Sequence, residues 1–129
     1  MTMDFNIQKQ NLHHAYCIIG NCDEIIKDLE KIFDKELNFS VTGNPDFWYG
    51  EYDVLDIEDS RNIKNLHANK PAAGNKKIFV INTNFITEKA QNSMLKLFEE
   101  PSGDTHFFLV IPSTIGIIPT LRSRMIFVE

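Results

Sequence analysis

Residues 77–111 read KIFVINTNFITEKAQNSMLKLFEEPSGDTHFFLVI and predict two buried strands joined by a helix. The strands are residues 78–81 and 107–111, whose near-continuous apolar runs are typical of strands buried on both faces of a sheet. Thr87 is a good cap for the helix, and Pro101 ends it because the residue before a proline is pushed out of the helical region. The apolar side of this helix contains Ala90, Met94, Leu95 and Phe98.

Strands and helices also alternate along the rest of the chain. Residues 16–19 form a third apolar run, residues 52–57 a more mixed one, and residues 125–128 the last one. Asp23 is the predicted cap of a helix whose inner side contains Ile25, Ile26, Leu29, Ile32 and Phe33. This alternation predicts right-handed crossovers and a three-layer α/β fold with a parallel five-stranded sheet.

Three segments give weaker signals. A helix is predicted to begin at Asp59 or Ser60, and a short helix or turn is predicted between residues 115 and 121. Residues 38–50 contain Gly43, Pro45, Asp46 and Gly50 and predict a connecting loop. The sequence shows no internal repeat and no low-complexity tract, so residues 1–129 are interpreted as a single α/β core domain.

The composition limits the class of protein. The chain has 129 residues, of which 43% are hydrophobic, enough for one ordinary core. No stretch approaches the roughly 20 apolar residues that would span a bilayer, and the first ten residues contain no signal-like apolar run. We therefore expect a soluble, cytoplasmic protein.

The charge and the histidines argue against two kinds of site. The formal net charge is −5, and Lys70, Lys76 and Lys77 form only a small basic cluster. Since an autonomous nucleic-acid-binding protein normally shows a basic surface, strong DNA binding by this domain alone is not expected. The four histidines lack the spacing of a metal site, and no metal or cofactor is predicted. They are His13, His14, His67 and His106.

A phosphate loop is expected after the first strand, since ligands of such sheets bind beyond the carboxyl ends of the strands. A functional loop reads GxxxxGK[ST], whereas residues 20–27 read GNCDEIIK. Gly20 and Asn21 begin this segment, and two carboxylates that would repel a triphosphate follow. Lys27 falls one turn into the helix without a hydroxyl neighbour. The sequence predicts a degenerate phosphate loop.

The acidic residues that would hold magnesium are also missing. In ATP-hydrolysing proteins of this type they follow the strand that here ends in Ile81, Asn82 and Thr83. Neutral amides are poor ligands for magnesium, which prefers carboxylate and phosphate oxygens. Asn82 is therefore predicted to be a loop residue that satisfies backbone groups.

Several motifs together resemble those of the clamp-loader AAA+ ATPases. The segments TEKAQNSMLKLFEEP, THFFLVI and LRSRM follow one another as in that family, whose pattern is A-x-N-x-L-L-K-x-L-E-E-P, then T-x-F-I-L, then T-x-R-S-R-C. The matching positions are Asn92, Leu95, Lys96, Glu99, Glu100, Pro101, Thr120, Arg122, Ser123 and Arg124. Met125 replaces the last cysteine, and the family's four-cysteine zinc module is absent.

The resemblance implies an AAA+ core, of the P-loop NTPase type, without a functional P-loop. Within the family, the missing phosphate loop points to the delta prime branch of the DNA polymerase III clamp loaders. The helical lid and the carboxy-terminal collar of the family are expected to be absent from this chain, because it stops at Glu129.

The resemblance also implies roles for particular residues. Arg124 corresponds to an arginine finger, which enters the ATP site of a neighbouring subunit, and Ser123 helps to set its loop. Arg122, Glu99 and Glu100 are expected to support the subunit interface.

The expected function is that of a non-hydrolysing subunit in a sliding-clamp loader. Its expected partners are a gamma/tau-like ATPase subunit and a delta-like subunit, with the sliding clamp and primer–template DNA reached through the complex. Two alternatives remain open from the sequence. One is a divergent nucleotide-binding phosphohydrolase, and the other is an AAA+-derived scaffold of another assembly.

Overall fold

A computed structural model describes residues 13–20, 22–67, 76–99 and 105–128. The strands are β1 (Ala15–Ile19), β2 (Phe47–Leu55), β3 (Lys77–Ile86), β4 (Thr105–Ile111) and β5 (Ile126–Val128). The helices are α1 (Cys22–Leu37), α2 (Ile57–His67), α3 (Glu88–Glu99) and α4 (Pro119–Arg122). None of the helices within these ranges combines the length and the apolar composition that a bilayer span needs.

The strands form one sheet in the order β2-β3-β4-β1-β5, and every pair is parallel. β4 lies in the centre, where Phe107 is opposite Ala15 of β1 and Phe79 of β3. The all-parallel α/β fold with five strands, predicted from the sequence, is confirmed.

Two apolar cores lie on the two faces of the sheet, because neighbouring side chains of a strand point to opposite faces. The core between the sheet and helices α2 and α3 includes Phe79, Phe107, Ile63, Met94 and Phe98. The core between the sheet and α1 includes Phe108, Val110, Leu29 and Phe33. The uninterrupted apolar run of β4 thus serves both cores, and the domain has three layers.

The edge strand β2 begins earlier than predicted. Residues 47–50 were expected in a loop, but they pair with β3, with Phe47 opposite Ile78. Aromatic side chains favour strands, and this preference outweighs the nearby turn residues. Gly50 fits because the Trp48 ring lies across it, and a Cβ atom at position 50 would be 2.1 Å from that ring.

Helix α2 also begins earlier than predicted, at Ile57 rather than at Asp59 or Ser60. The reason is a reciprocal pair of hydrogen bonds. The backbone N–H of Asp59 donates to Asp56 Oδ1, and that of Asp56 donates to Asp59 Oδ2, each at 3.0 Å. This arrangement satisfies two backbone donors, as in a capping box, and fixes the helix start.

The other helices differ little from expectation. Helix α3 is capped as predicted, since the Ala90 N–H donates to Thr87 Oγ1 at 3.2 Å. Helix α1 begins at Cys22, so Asp23 lies in its first turn instead of capping it. Helix α4 begins only at Pro119, where proline suits a first helical position, and is shorter than the predicted 115–121 segment.

Candidate functional site

Residues singled out from the sequence lie at both ends of the parallel strands, whereas Lys27 lies on α1 and Asn82 within β3. Gly20 follows β1 at the edge where the parallel strands end. Arg124 precedes β5, and Glu99 ends α3, at the edge where the strands begin. A strand advances roughly 3.3 Å per residue, so the length of β1 separates the two edges. The structure brings Arg124 together with Glu99 and Ser123 and keeps them apart from Gly20.

The turn after β1 requires glycine at position 20. Its φ is +154°, and a Cβ atom there would be 2.7 Å from Ile25 Cδ1. The Gly20 N–H donates to the Ile111 carbonyl at 3.1 Å, which extends the pairing of β1 with β4. Lys27 is exposed on α1, and Asn21 lies outside the described residues. Backbone geometry and packing therefore account for Gly20.

The prediction that Asn82 lies in a loop was wrong. Asn82 and Thr83 are buried residues of β3, which continues to Ile86 and pairs with β2 as far as Leu55. Pairing with β2, in which Asn82 is opposite Glu51 and Thr83 is opposite Tyr52, carries the strand past its polar centre. Thr83 Oγ1 donates to the Phe85 carbonyl at 2.8 Å, so its hydroxyl is satisfied within the strand.

Asn82 lies at a polar cleft formed by the neighbouring strands β2 and β3. Its Nδ2 donates to the Tyr49 hydroxyl at 3.0 Å, and that hydroxyl donates to Glu51 Oε1 at 2.9 Å. Asn84 Nδ2 donates to Asp53 Oδ1 at 3.0 Å. The cleft has a volume of about 230 Å³ and is lined by Glu51, Tyr52, Asp53, Asn82 and Asn84. Its two carboxylates make it a poor place for a triphosphate.

Arg124 lies where the parallel strands begin, and several hydrogen-bond acceptors hold its side chain there. Its Nε and Nη2 donate to one oxygen, Glu99 Oε2, at 3.3 and 3.2 Å. Its Nη1 donates to the Thr120 carbonyl at 2.6 Å and contacts Ser123 Oγ at 3.3 Å. The Arg124 side chain is 27% exposed and that of Glu99 is 52% exposed, so the guanidinium is ordered yet reachable from solvent.

Ser123 and Arg122 have separate contacts within the same turn. Ser123 Oγ donates to the Thr120 carbonyl at 2.9 Å, which ties it to the acceptor that Arg124 uses. The Arg122 guanidinium lies 5.5 Å from the ring centroid of Phe127, in a cation–π contact. Glu100, predicted at the interface, lies outside the described residues.

Histidines that are scattered in the sequence meet beside Arg124. His13 Nε2 lies 3.3 Å from the Arg124 carbonyl, and His106 Nδ1 lies 2.9 Å from the His13 carbonyl. The rings of His13 and His14 are 4.1 Å apart. Burial, and secondly the neighbouring His13, lower the pKa of His14. Among the described residues, no cluster of three His, Cys, Asp or Glu side chains could hold a metal ion.

Gln91 fixes the segment that leads into α4 and the Arg124 turn. Its structural role was not predicted from the sequence. It is 1% exposed, and its Nε2 donates to the carbonyls of Ile86 and Gly116 at 2.9 and 2.7 Å. Its Oε1 accepts the Ile118 N–H at 2.8 Å. One side chain thus joins α3, the end of β3 and the segment that leads into α4.

Replacing Gln91 with leucine is expected to lower the free energy of unfolding by about 2–4 kcal/mol, since it leaves buried backbone groups without hydrogen bonds. Urea denaturation measures the change. Asn92→Ala, at the exposed next position, is the matched control and should change the free energy of unfolding by less than about 0.5 kcal/mol. Equal effects of the two substitutions would contradict this role of Gln91.

The geometry can be compared with known families. A model of the family described as DNA polymerase III, delta subunit, matches residues 42–129, which is more than half of the chain. The chain belongs to this family. The match includes Glu99, Ser123 and Arg124 and does not include Gly20.

Two proteins named subunit delta' of DNA polymerase III are similar to this chain in sequence. Subunit delta' of Buchnera aphidicola subsp. Baizongia pistaciae is 40% identical over 74 residues, which are 57% of this chain and 22% of that protein. Subunit delta' of Buchnera aphidicola subsp. Schizaphis graminum is 34% identical over 90 residues, which are 66% of this chain and 27% of that protein. The chain thus spans about a quarter of the length of these relatives.

A solved structure shows the same fold. The gamma subunit-related protein of DNA polymerase III from Thermotoga maritima superposes on 91% of this chain and 41% of its own, with a TM-score of 0.73. Its sequence is 21% identical to this member of the delta subunit family, so the likeness concerns the fold alone.

Proposed function

We propose that this chain is the AAA+-type core of a delta prime-type clamp-loader subunit of DNA polymerase III, which lends Arg124 to the ATP site of a neighbouring subunit. The observation that carries the proposal is the hydrogen-bonded guanidinium of Arg124 at the end of the sheet where the strands begin. The Arg124 side chain is 27% exposed. Membership of the delta subunit family and the relatives named delta' support it.

An arginine suits this role for a physical reason. Its guanidinium is planar and always charged, and it presents several N–H donors to phosphate oxygens. Charge that develops on a γ-phosphate during hydrolysis is stabilised by a donor that is already in place. The acceptors around Arg124 keep its side chain close to one position, which reduces the entropy lost when a neighbour's nucleotide binds.

The chain itself is proposed not to hydrolyse ATP. Residues 20–27 lack the lysine and hydroxyl of a phosphate loop, and Asn82 stands where a magnesium-binding carboxylate is expected. The cleft beside Asn82 carries Glu51 and Asp53, whose charges oppose a triphosphate. The contribution to catalysis would then come from Arg124 alone.

The proposed assembly follows from this role. A subunit that lends an arginine needs a neighbour with an intact ATP site, and a gamma/tau-like clamp-loader subunit meets that need. A delta-like subunit, the sliding clamp and primer–template DNA would be reached through the assembled loader. With a net charge of −5, the domain is not expected to bind DNA strongly on its own.

The purified chain is expected neither to hydrolyse magnesium–ATP nor to be stabilised by it. A ligand at 100 times its dissociation constant would raise the free energy of unfolding by about 2.7 kcal/mol. Thermal unfolding with increasing magnesium–ATP, together with a phosphate-release assay, measures both properties. Lys27→Ala is the matched variant and should respond as the parent chain does.

A robust turnover by the chain alone would contradict the proposal and favour a divergent phosphohydrolase. If ATP stabilised the parent chain and Lys27→Ala removed that effect, Lys27 would belong to a phosphate site after all.

A further inference from the structure

All three nitrogens of the Arg124 guanidinium are engaged inside the chain. Nη1 donates to the Thr120 carbonyl at 2.6 Å, which is the shortest of the hydrogen bonds that the guanidinium makes. Nε and Nη2 share a single carboxylate oxygen of Glu99, at 3.3 and 3.2 Å. An arginine that is to bind an oxyanion of another subunit must give up some of these contacts.

The edge of the guanidinium that Glu99 occupies is suited to phosphate. Nε and Nη2 point in the same direction, and this edge binds two oxygens of a carboxylate or a phosphate in parallel. Glu99 therefore stands where a phosphate oxygen would bind and also cancels the positive charge of Arg124. The Thr120 carbonyl contacts the other side and does not compete.

The Glu99 contact is the one that breaks most readily. The Glu99 side chain is 52% exposed, and it uses one oxygen at 3.2–3.3 Å instead of a two-oxygen geometry. Solvent screens such a pair, whose loss shifts an equilibrium by about 1.5- to 5-fold. A phosphate oxygen with a higher negative charge can replace the carboxylate while Nη1 stays on Thr120.

We infer that Glu99 is a placeholder for phosphate, which keeps Arg124 ordered and neutralised until the nucleotide of a neighbouring subunit displaces it. This inference rests on the proposed function, because it assumes that Arg124 enters a neighbour's ATP site. Glu99 acts through Arg124 and is a positioning residue. The ligand that displaces it is the terminal phosphate of a bound nucleoside triphosphate.

Replacing Glu99 with glutamine is expected to lower the KM for ATP of a reconstituted loader by about 1.5- to 5-fold and to leave kcat unchanged. The substitution keeps the shape of the side chain and removes the competing charge. Since the contact is already broken when the nucleotide is bound, its loss affects the step from free enzyme and not the bound complex. Steady-state hydrolysis across ATP concentrations separates the two parameters.

Three comparisons keep the inference apart from other effects. Glu30→Gln removes one exposed charge from α1 and should leave both parameters as they are. In the Arg124→Ala background, Glu99→Gln should have no effect, because the competition acts on Arg124. An unchanged or raised KM, a reduced kcat, or the same shift without Arg124 would overturn the inference. If Arg124→Ala itself left hydrolysis unchanged, the proposed function would fail instead.

Discussion

Replacement of Phe107 by alanine is expected to lower the free energy of unfolding by about 3–5 kcal/mol. The Phe107 side chain is fully buried in the central strand β4. Its ring centroid lies 5.1 Å from that of Phe79, 5.0 Å from that of Phe98 and 5.6 Å from that of His67. Alanine would leave a cavity between the sheet and two helices and would remove these ring contacts.

Phe85→Ala is the control for the loss of an aromatic ring. Phe85 also lies in a strand, but it is 46% exposed at the end of β3. Its replacement should lower the free energy of unfolding by less than about 1.5 kcal/mol, because less apolar area returns to water. Urea denaturation with an unchanged m-value measures both substitutions. Similar losses would show that the core between the sheet and α2–α3 is not centred on Phe107.

The central strands could be predicted from the sequence because burial on both faces requires a continuous run of apolar residues. The runs in β3 and β4 contain almost only apolar residues and are too short for helices, which is typical of strands buried on both faces. The helix between them was equally clear, since Thr87 caps it and its apolar residues recur at helical spacing. These two strands and one helix determine the crossover, and the remaining elements follow its direction.

The start of β2 could not be predicted because an edge strand leaves a weaker mark. Exposed and partly buried residues alternate along it, and Gly50 and the nearby Gly43 and Pro45 favour a turn. Pairing with β3 decides the matter, and pairing is a tertiary contact. The same holds for Asn82, which continues a strand because β2 and β4 lie on either side of it.

The candidate site could be predicted in part. Ser123 and Arg124 are neighbours in a short motif, whereas Glu99 is 25 residues away from Arg124 in sequence and its contact required the structure. Gln91 left a usable signal. It lies three residues before Met94 and seven before Phe98, on the buried side of α3, where a polar side chain must find buried partners.

Replacement of Arg124 by alanine is expected to slow ATP hydrolysis at the neighbouring subunit's site on the order of 10³-fold, the lower end of what arginine fingers contribute in GTPases. In the proposed role, the substitution removes a charged donor that would stabilise the transition state. The Arg124→Lys substitution should also slow hydrolysis, because an ammonium group is a compact point charge and lacks the two parallel N–H donors of a guanidinium.

Folding should be almost unaffected by Arg124→Ala. The contacts of Arg124 with Glu99 and with the Thr120 carbonyl are both exposed to solvent, so their loss should change the free energy of unfolding by about 1 kcal/mol or less. Arg61→Ala is the matched control, because Arg61 is an exposed arginine of α2 whose ion pair is with Glu58 at 2.7 Å. It should leave hydrolysis by the loader unchanged.

The measurement that tests the proposed role of Arg124 most directly is single-turnover ATP hydrolysis by a clamp loader reconstituted with this protein. In the Arg124→Ala loader, the site next to this subunit should lose its fast phase, while Arg61→Ala keeps it. An Arg124→Ala loader that assembles normally and keeps the full fast phase would show that this arginine does not serve a neighbour's nucleotide.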